Sequence, residues 1–318
     1  SSQPLPGSNP SAANSALNRS RAACDATCVT SVIPFTIPSI VSSGDSETSL
    51  LARPREIAMQ FETLLVETAE SIATVTLNRE RVHNALNTTM LRELDEAFTA
   101  LDADAAVRVI LLRGSGGKAF AAGADINELA AVDTASAAAF AARGQAIFRR
   151  IEQLSKPVIA VLNGHTLGGG CELAMACTLR IAAETVRIGQ PEIRLGILPG
   201  YGGSQRLPRL VGRGAAMKMM LTGQPIDAHE ALRIGLVDEV LPAEHLDLRA
   251  MELARTIAGQ PPLAIAAILE AVDRGADLPL DEAIALENSL FSRLCQTDDM
   301  REGARAFLEK RAPHFTGH

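Results

Sequence analysis

Two carboxylates and two glycine-rich turns are the parts of this chain best suited to chemistry. Within KPVIAVLNGHTLGGGCELAMACTLRIAAETVRIGQPEIRLGILPGYGG, Lys156 to Gly203, an apolar run from Pro157 to Leu162 leads into Gly168-Gly169-Gly170 and then a short apolar helix. The first turn of that helix carries Glu172, and a second carboxylate follows at Glu192. Glycine at the junction lets backbone approach a ligand closely, and the first helical turn offers N–H groups that have no partner within the helix. Such a place draws negative charge. Val158, Ile159, Val161, Leu167, Leu173 and Met175 surround it in sequence and place Glu172 inside the protein. A carboxylate there is costly unless it has a partner or a task. The plainer alternative is a glutamate that only complements the helix dipole; the glycine triplet and the second glutamate weigh against it.

A second glycine-rich turn, FAAGAD from Phe120 to Asp125, follows a strand pattern as LGGGCE from Leu167 to Glu172 does. Each could aim a backbone N–H at one oxygen, and a pair of such donors is an oxyanion hole for a carbonyl that gains charge. Two carboxyl groups facing it could hold a water, take its proton and return a proton to carbon. That is chemistry alpha and beta to a polarised carbonyl. Two further glycine clusters are plain turns: GSGGKA at Gly114 lacks the frame of a phosphate-binding loop, and GYGGSQ at Gly200 lacks the last glycine of a dinucleotide fingerprint. The six histidines are scattered without metal-ligand spacing, so no metal is expected. The five cysteines suit reduced thiols in a cytosolic compartment. Cys171 lies next to Glu172 but has no evident base and reads as a small core residue.

These parts need a scaffold, and 318 residues with 47% hydrophobic content can bury a substantial core. A net charge of −7, one Tyr and no Trp argue against nucleic acid as a partner. No apolar run approaches the roughly 18 residues of a membrane span. Residues 1–56, rich in Ser, Ala and Pro, read as a disordered leader or an extension ahead of Met59. Arg19 and Arg21 in that acid-poor stretch admit a mitochondrial transit peptide as the alternative to a cytoplasmic bacterial protein. From Ile72 onward the pattern is that of an α/β protein. SIATVTLNR and VRVILLRG read as strands; a helix after Asn87 buries Leu91, Leu94, Phe98 and Leu101, and another runs through Ile147, Phe148, Ile151 and Leu154. Strands alternating with helices imply parallel pairing with right-handed crossovers. Beyond Gly203 the pattern is almost wholly helical: 203–222, 227–235, 243–273 and 280–311.

Four fragments in order, KAFAAGADINEL, KPVIAVLNGHTLGGGCELAMACTLRIA, IGQPEIRLGILPGYGGSQRLPRLVG and TDDMREGARAFLEKR, resemble the crotonase superfamily and, within it, the enoyl-CoA hydratases. The resemblance covers roughly Met59 to His318. It implies a spiral of ββα turns over residues 57–255, with a helical region, 256–318, that trimerises and contacts coenzyme A; two trimers commonly form a hexamer. It implies an acyl-CoA substrate and no separate cofactor. Position by position, it puts the oxyanion donors on the backbone N–H groups of Ala124 and Gly169, the catalytic acids on Glu172 and Glu192, and a water-positioning backbone at Gly200. Coenzyme A contacts fall on Ala122, Asp125, Ile126, Phe291 and Lys310, the last two often across a subunit boundary. Asn127 departs from the family, which often has Lys there. The activity implied is hydration of a trans-2-enoyl-CoA. Same-fold alternatives are an enoyl-CoA isomerase or a branched-chain hydratase, and a non-catalytic acyl-CoA binding protein would not need both acids.

Overall fold

The computed structural model describes residues 60–318, and the leader read at residues 1–56 lies outside the described residues. β1 (Leu64–Ala69) and β2 (Ile72–Leu77) form an antiparallel hairpin. The Glu70-Ser71 link has positive φ at both residues, the handedness that matches strand twist in a two-residue turn. β1 is an addition to the sequence reading, and its antiparallel pairing departs from the all-parallel expectation. Its burial is irregular and Leu65 is half exposed, so no clean alternation marked it as a strand.

α1 (Thr88–Ala103) starts where Asn87 caps it, its side chain accepting the Met90 N–H at 2.9 Å. Met90, Leu91, Leu94, Ala97, Phe98 and Leu101 form its buried face. Then come β3 (Val109–Gly114), β4 (Ala119–Ala121), α2 (Ile126–Ala130), α3 (Ala137–Glu152), β5 (Val158–Leu162), β6 (His165–Leu167), α4 (Gly169–Met175), β7 (Leu179–Ala183) and β8 (Arg187–Gly189). Glu192–Leu195 is a short 3-10 helix, followed by α5 (Gly203–Thr222), β9 (Ile226–Asp227), α6 (Ala228–Arg233) and β10 (Glu239–Leu241).

From β3 to β8 successive strands alternate between two sheets. The larger has the order β1-β2-β3-β5-β7-β10, the smaller β4-β6-β8-β9. The turns β3-β4, β5-β6 and β7-β8 each lay one strand in each sheet before a helix or helical turn carries the chain onward, which is the expected ββα spiral. β5, Val-Ile-Ala-Val-Leu, is buried at every position between β3 and β7, as a central parallel strand requires. Because β4, β6 and β8 lie side by side in parallel, the turns that leave them emerge together at one edge. That edge carries the site.

The C-terminal part is helical: α7 (Ala243–Ala258), α8 (Pro262–Gly275), α9 (Leu280–Leu294) and α10 (Asp298–Glu309). The helical stretch expected over 243–273 is two helices, separated where Gly259 precedes Pro261. α5 is likewise interrupted at Gly212, whose φ of 76° leaves the helical region. α8 has no buried residue, and in α9 only Leu290 is buried, although both helices are amphipathic. Phe291, Phe307 and Leu308 are exposed. Among the described residues no helix is long and apolar enough to cross a membrane.

Candidate active site

Glu172 sits in the first turn of α4 with only 1% of its surface exposed. Its Oε1 accepts two backbone N–H groups, from Tyr201 at 2.8 Å and from Gly203 at 2.6 Å. Gly203 must lack a side chain for this, because a Cβ there would lie 2.9 Å from the same oxygen. Arg206 grips the turn from behind: it donates to the Tyr201 carbonyl at 3.0 Å and pairs with Glu152 through Nε and Nη2 at 3.0 and 3.1 Å. Burial pushes the Glu172 carboxyl up to about 7, opposed by the two backbone N–H groups and the Arg206 charge.

Glu192 opens the 3-10 helix and is also buried. The Gln190 amide, turned so that its nitrogen faces Glu192, donates to both carboxylate oxygens at 2.9 and 3.0 Å. Burial, with added repulsion from Glu172, pushes this carboxyl up to about 7 as well. Two carboxyls so tuned can exchange protons near neutral pH. Gly168 (φ 52°) lies against Glu192, and a Cβ on it would sit 2.9 Å from Oε1.

The two glycine-rich turns do meet. A Cβ built on Gly169 would lie 3.3 Å from the Ala124 nitrogen. Neighbouring N–H groups are committed: Ala122 to His83 O, Asp125 to Leu86 O, Gly168 to Gly189 O. Those of Ala124 and Gly169 have no backbone acceptor outside their own elements among the described residues, and Gly169, as the first residue of α4, points its N–H out of the helix. Ala124, Gly169, Glu172 and Glu192 share the wall of one largely apolar cavity of about 900 Å³. Its apolar lining includes Ile126, Leu129 and Phe140 as well as Ile193, Leu195 and Leu198. Such an arrangement can polarise a carbonyl at the two N–H groups and move protons at adjacent carbons.

The sequence model described as Enoyl-CoA hydratase/isomerase matches residues 67–318. The chain belongs to that family. It is 44% identical over 253 residues to the short-chain-enoyl-CoA hydratase of Clostridium acetobutylicum, covering 80% of this chain and 97% of the relative. It is 44% identical over 257 residues to the crotonyl-CoA hydratase of Syntrophomonas wolfei, covering 81% and 99%. Its fold matches the crystal structure of enoyl-CoA hydratase from Bacillus anthracis with a TM-score of 0.79 at 40% identity, over 81% of this chain and all of the other.

Of the positions the family resemblance pointed to, Ala122, Ala124, Ile126, Gly169, Glu172, Glu192 and Gly200 all line the cavity. Gly200 also accepts a hydrogen bond from Gln145 Nε2 at 2.8 Å. Asp125 is placed differently: its carboxylate caps α2 at the Asn127 N–H and pairs with Arg79 at 3.0 Å, which together outweigh its burial and hold it below the usual carboxylate range. Phe291 on α9 and Lys310 at the end of α10 do not line the cavity. Sequence reasoning missed Gln190, Arg206 and the donors at Tyr201 and Gly203. Gln190 stands two residues before Glu192, and the two side chains meet through the bend at Pro191 (φ −86°, ψ 8°), which residue spacing alone does not announce. The N–H groups carry no side-chain signal at all. Among the described residues no cluster of three or more His, Cys, Asp or Glu forms a metal site.

Proposed function

We propose that this enoyl-CoA hydratase adds water across the 2,3 double bond of a trans-2-enoyl-CoA with the residues described above in the following roles. The thioester oxygen lies between the N–H groups of Ala124 and Gly169, which receive the charge displaced from the double bond as an enolate. Glu172 takes a proton from the water whose oxygen bonds to C3, and Glu192 gives a proton to C2. The C2–C3 π bond becomes a C–O bond and a C–H bond, yielding 3-hydroxyacyl-CoA. Both protons move between these carboxyls, water and carbon, so the reaction calls for no metal or redox group. Gly200 helps hold the water.

The observation that carries this reading is the pair of buried carboxyls, both raised to near neutrality, on the same cavity wall as the Ala124 and Gly169 N–H groups. An isomerase moving a double bond needs only one carboxylate to shuttle one proton, so the retention of both acids favours hydration. The test is incubation with trans-2-butenoyl-CoA and, separately, a 3-enoyl-CoA. Loss of the conjugated thioester absorbance with 3-hydroxyacyl-CoA as product supports hydration; turnover of the 3-enoyl substrate alone overturns it.

The finer features belong to the same proposal. Ala122, Asp125 and Ile126 contact coenzyme A through the loop after β4, and Phe291 and Lys310 do so across a subunit boundary. Residues 256–318 assemble trimers or hexamers over a catalytic core of residues 57–255. The apolar, solvent-facing Phe291, Phe307 and Leu308 support such an assembly. A bacterial cytoplasmic setting agrees with the bacterial relatives.

A further inference from the structure

We infer that Tyr201 and Gly144 together set how deep an acyl chain enters the cavity, and so act as the chain-length determinants of the hydration reaction. The inference rests on the reading of this cavity as the acyl-thioester site. Tyr201 is the only tyrosine in the chain, is 3% exposed and lines the cavity. Its ring packs on Phe140 with centroids 5.8 Å apart and meets Phe148 edge-on at 5.6 Å. Phe140 lines the cavity, whereas Phe148 is fully buried and does not. The Tyr201 ring is therefore the partition between cavity and core.

Two glycines fix where that partition stands. On α3, a Cβ at Gly144 would fall 2.2 Å from Tyr201 Cδ1, so the missing side chain is what lets the ring lie back against the helix. On the opposite edge, a Cβ at Gly169 would lie 3.3 Å from Cδ2, which ties the ring to the backbone that receives the thioester oxygen. Buried tyrosine hydroxyls usually find a partner, but this one has none among the described residues. Shape alone locates the ring. The neighbouring cavity wall, with Leu129, Val132, Ala137 and Ala141, is aliphatic and fits a hydrocarbon chain, so the bulk of the ring decides how much of that chain is admitted.

The test compares kcat/KM for trans-2-butenoyl-CoA and trans-2-decenoyl-CoA in the native enzyme and in Tyr201→Ala, Tyr201→Phe and Gly144→Ala. The readout is the ratio of long to short substrate, because the Tyr201 N–H also holds Glu172 and absolute rates will fall. Tyr201→Ala is expected to raise the ratio about tenfold, the scale of a methylene or more of extra room in an apolar pocket. Tyr201→Phe should leave the ratio unchanged, and Gly144→Ala should lower it several-fold by driving the ring into the cavity. An unchanged ratio in both alanine variants would overturn the inference. So would a Tyr201→Phe ratio equal to that of Tyr201→Ala, since it would put selectivity in the hydroxyl rather than the ring. If one alanine variant does not fold, the other decides. Failure of the native enzyme to hydrate trans-2-butenoyl-CoA and trans-2-decenoyl-CoA alike would instead defeat the underlying reading of the site.

Discussion

The backbone N–H of Tyr201 donates to Glu172 Oε1 at 2.8 Å, so the residue that walls the cavity with its ring also holds a site carboxylate with its main chain. The Gly203 N–H shares that oxygen at 2.6 Å, leaving Oε2 of Glu172 as the oxygen without these donors. Oε2 is the atom that would meet water.

Glu172→Gln and Glu192→Gln should each lower hydration by about 10²-fold or more while coenzyme A binding persists. Their effects should be far from additive, because both groups act on one water and one double bond. Near-native turnover in either variant would remove that residue from the mechanism, and isothermal titration with a saturated acyl-CoA checks that binding is intact.

Removing the oxyanion donor at Ala124 requires a change of backbone. Ala124→Pro deletes the N–H, and Ala124→Gly perturbs the same loop while keeping it. The proline variant should lose on the order of 3 kcal/mol more transition-state stabilisation than the glycine variant, read from kcat/KM. Equal rates in two folded variants would show that Ala124 does not serve the oxygen.

Burial raises the Glu172 carboxyl from 4.5 to about 7, so the native chain keeps a proton that the unfolded chain has already released. The sign follows: the group's contribution to stability is fully present below pH 4.5 and is lost as pH rises through about 7. Glu172→Gln, which cannot ionise, should therefore gain stability over the native protein on the order of 3 kcal/mol at pH 8 and little at pH 4. Denaturant unfolding at the two pH values measures this, and a pH-independent difference would contradict it. Activity in hydration should be bell-shaped in pH, falling on the acid side as the base is protonated and on the alkaline side as the acid ionises.

Arg206 supports the Tyr201 carbonyl and opposes the upward shift of Glu172. Arg206→Met should lower kcat about tenfold and move the acid limb of the pH profile to higher pH, since the carboxylate loses a stabilising charge. A fall in kcat with no movement of that limb would mean that Arg206 acts only through the fold.

On α10, Phe307 and Leu308 are 83% and 81% exposed, more apolar surface than a solvated helix end needs. Phe307→Asp together with Leu308→Asp should shift the protein to smaller species in sedimentation or light scattering. An unchanged mass would show that this face makes no subunit contact.

The sequence by itself determined the periodic elements and pointed to two carboxyls, Glu172 and Glu192, that are buried in the structure. β5 and α1 were legible because a fully apolar run and a 3.6-residue stripe leave few alternatives. Glu172 was legible because it stands among apolar and glycine residues where charge is costly, whereas Glu192, with Gln190 and Arg194 two residues either side, was singled out by the family resemblance. Tertiary structure alone decided that residues 124, 169, 172 and 192 share one cavity, because their meeting depends on β4, β6 and β8 pairing in parallel in a second sheet. It also decided what each acid touches. The donors to Glu172 are main-chain groups some 30 residues away, identical in every amino acid but proline, and only the path of the chain can choose among them.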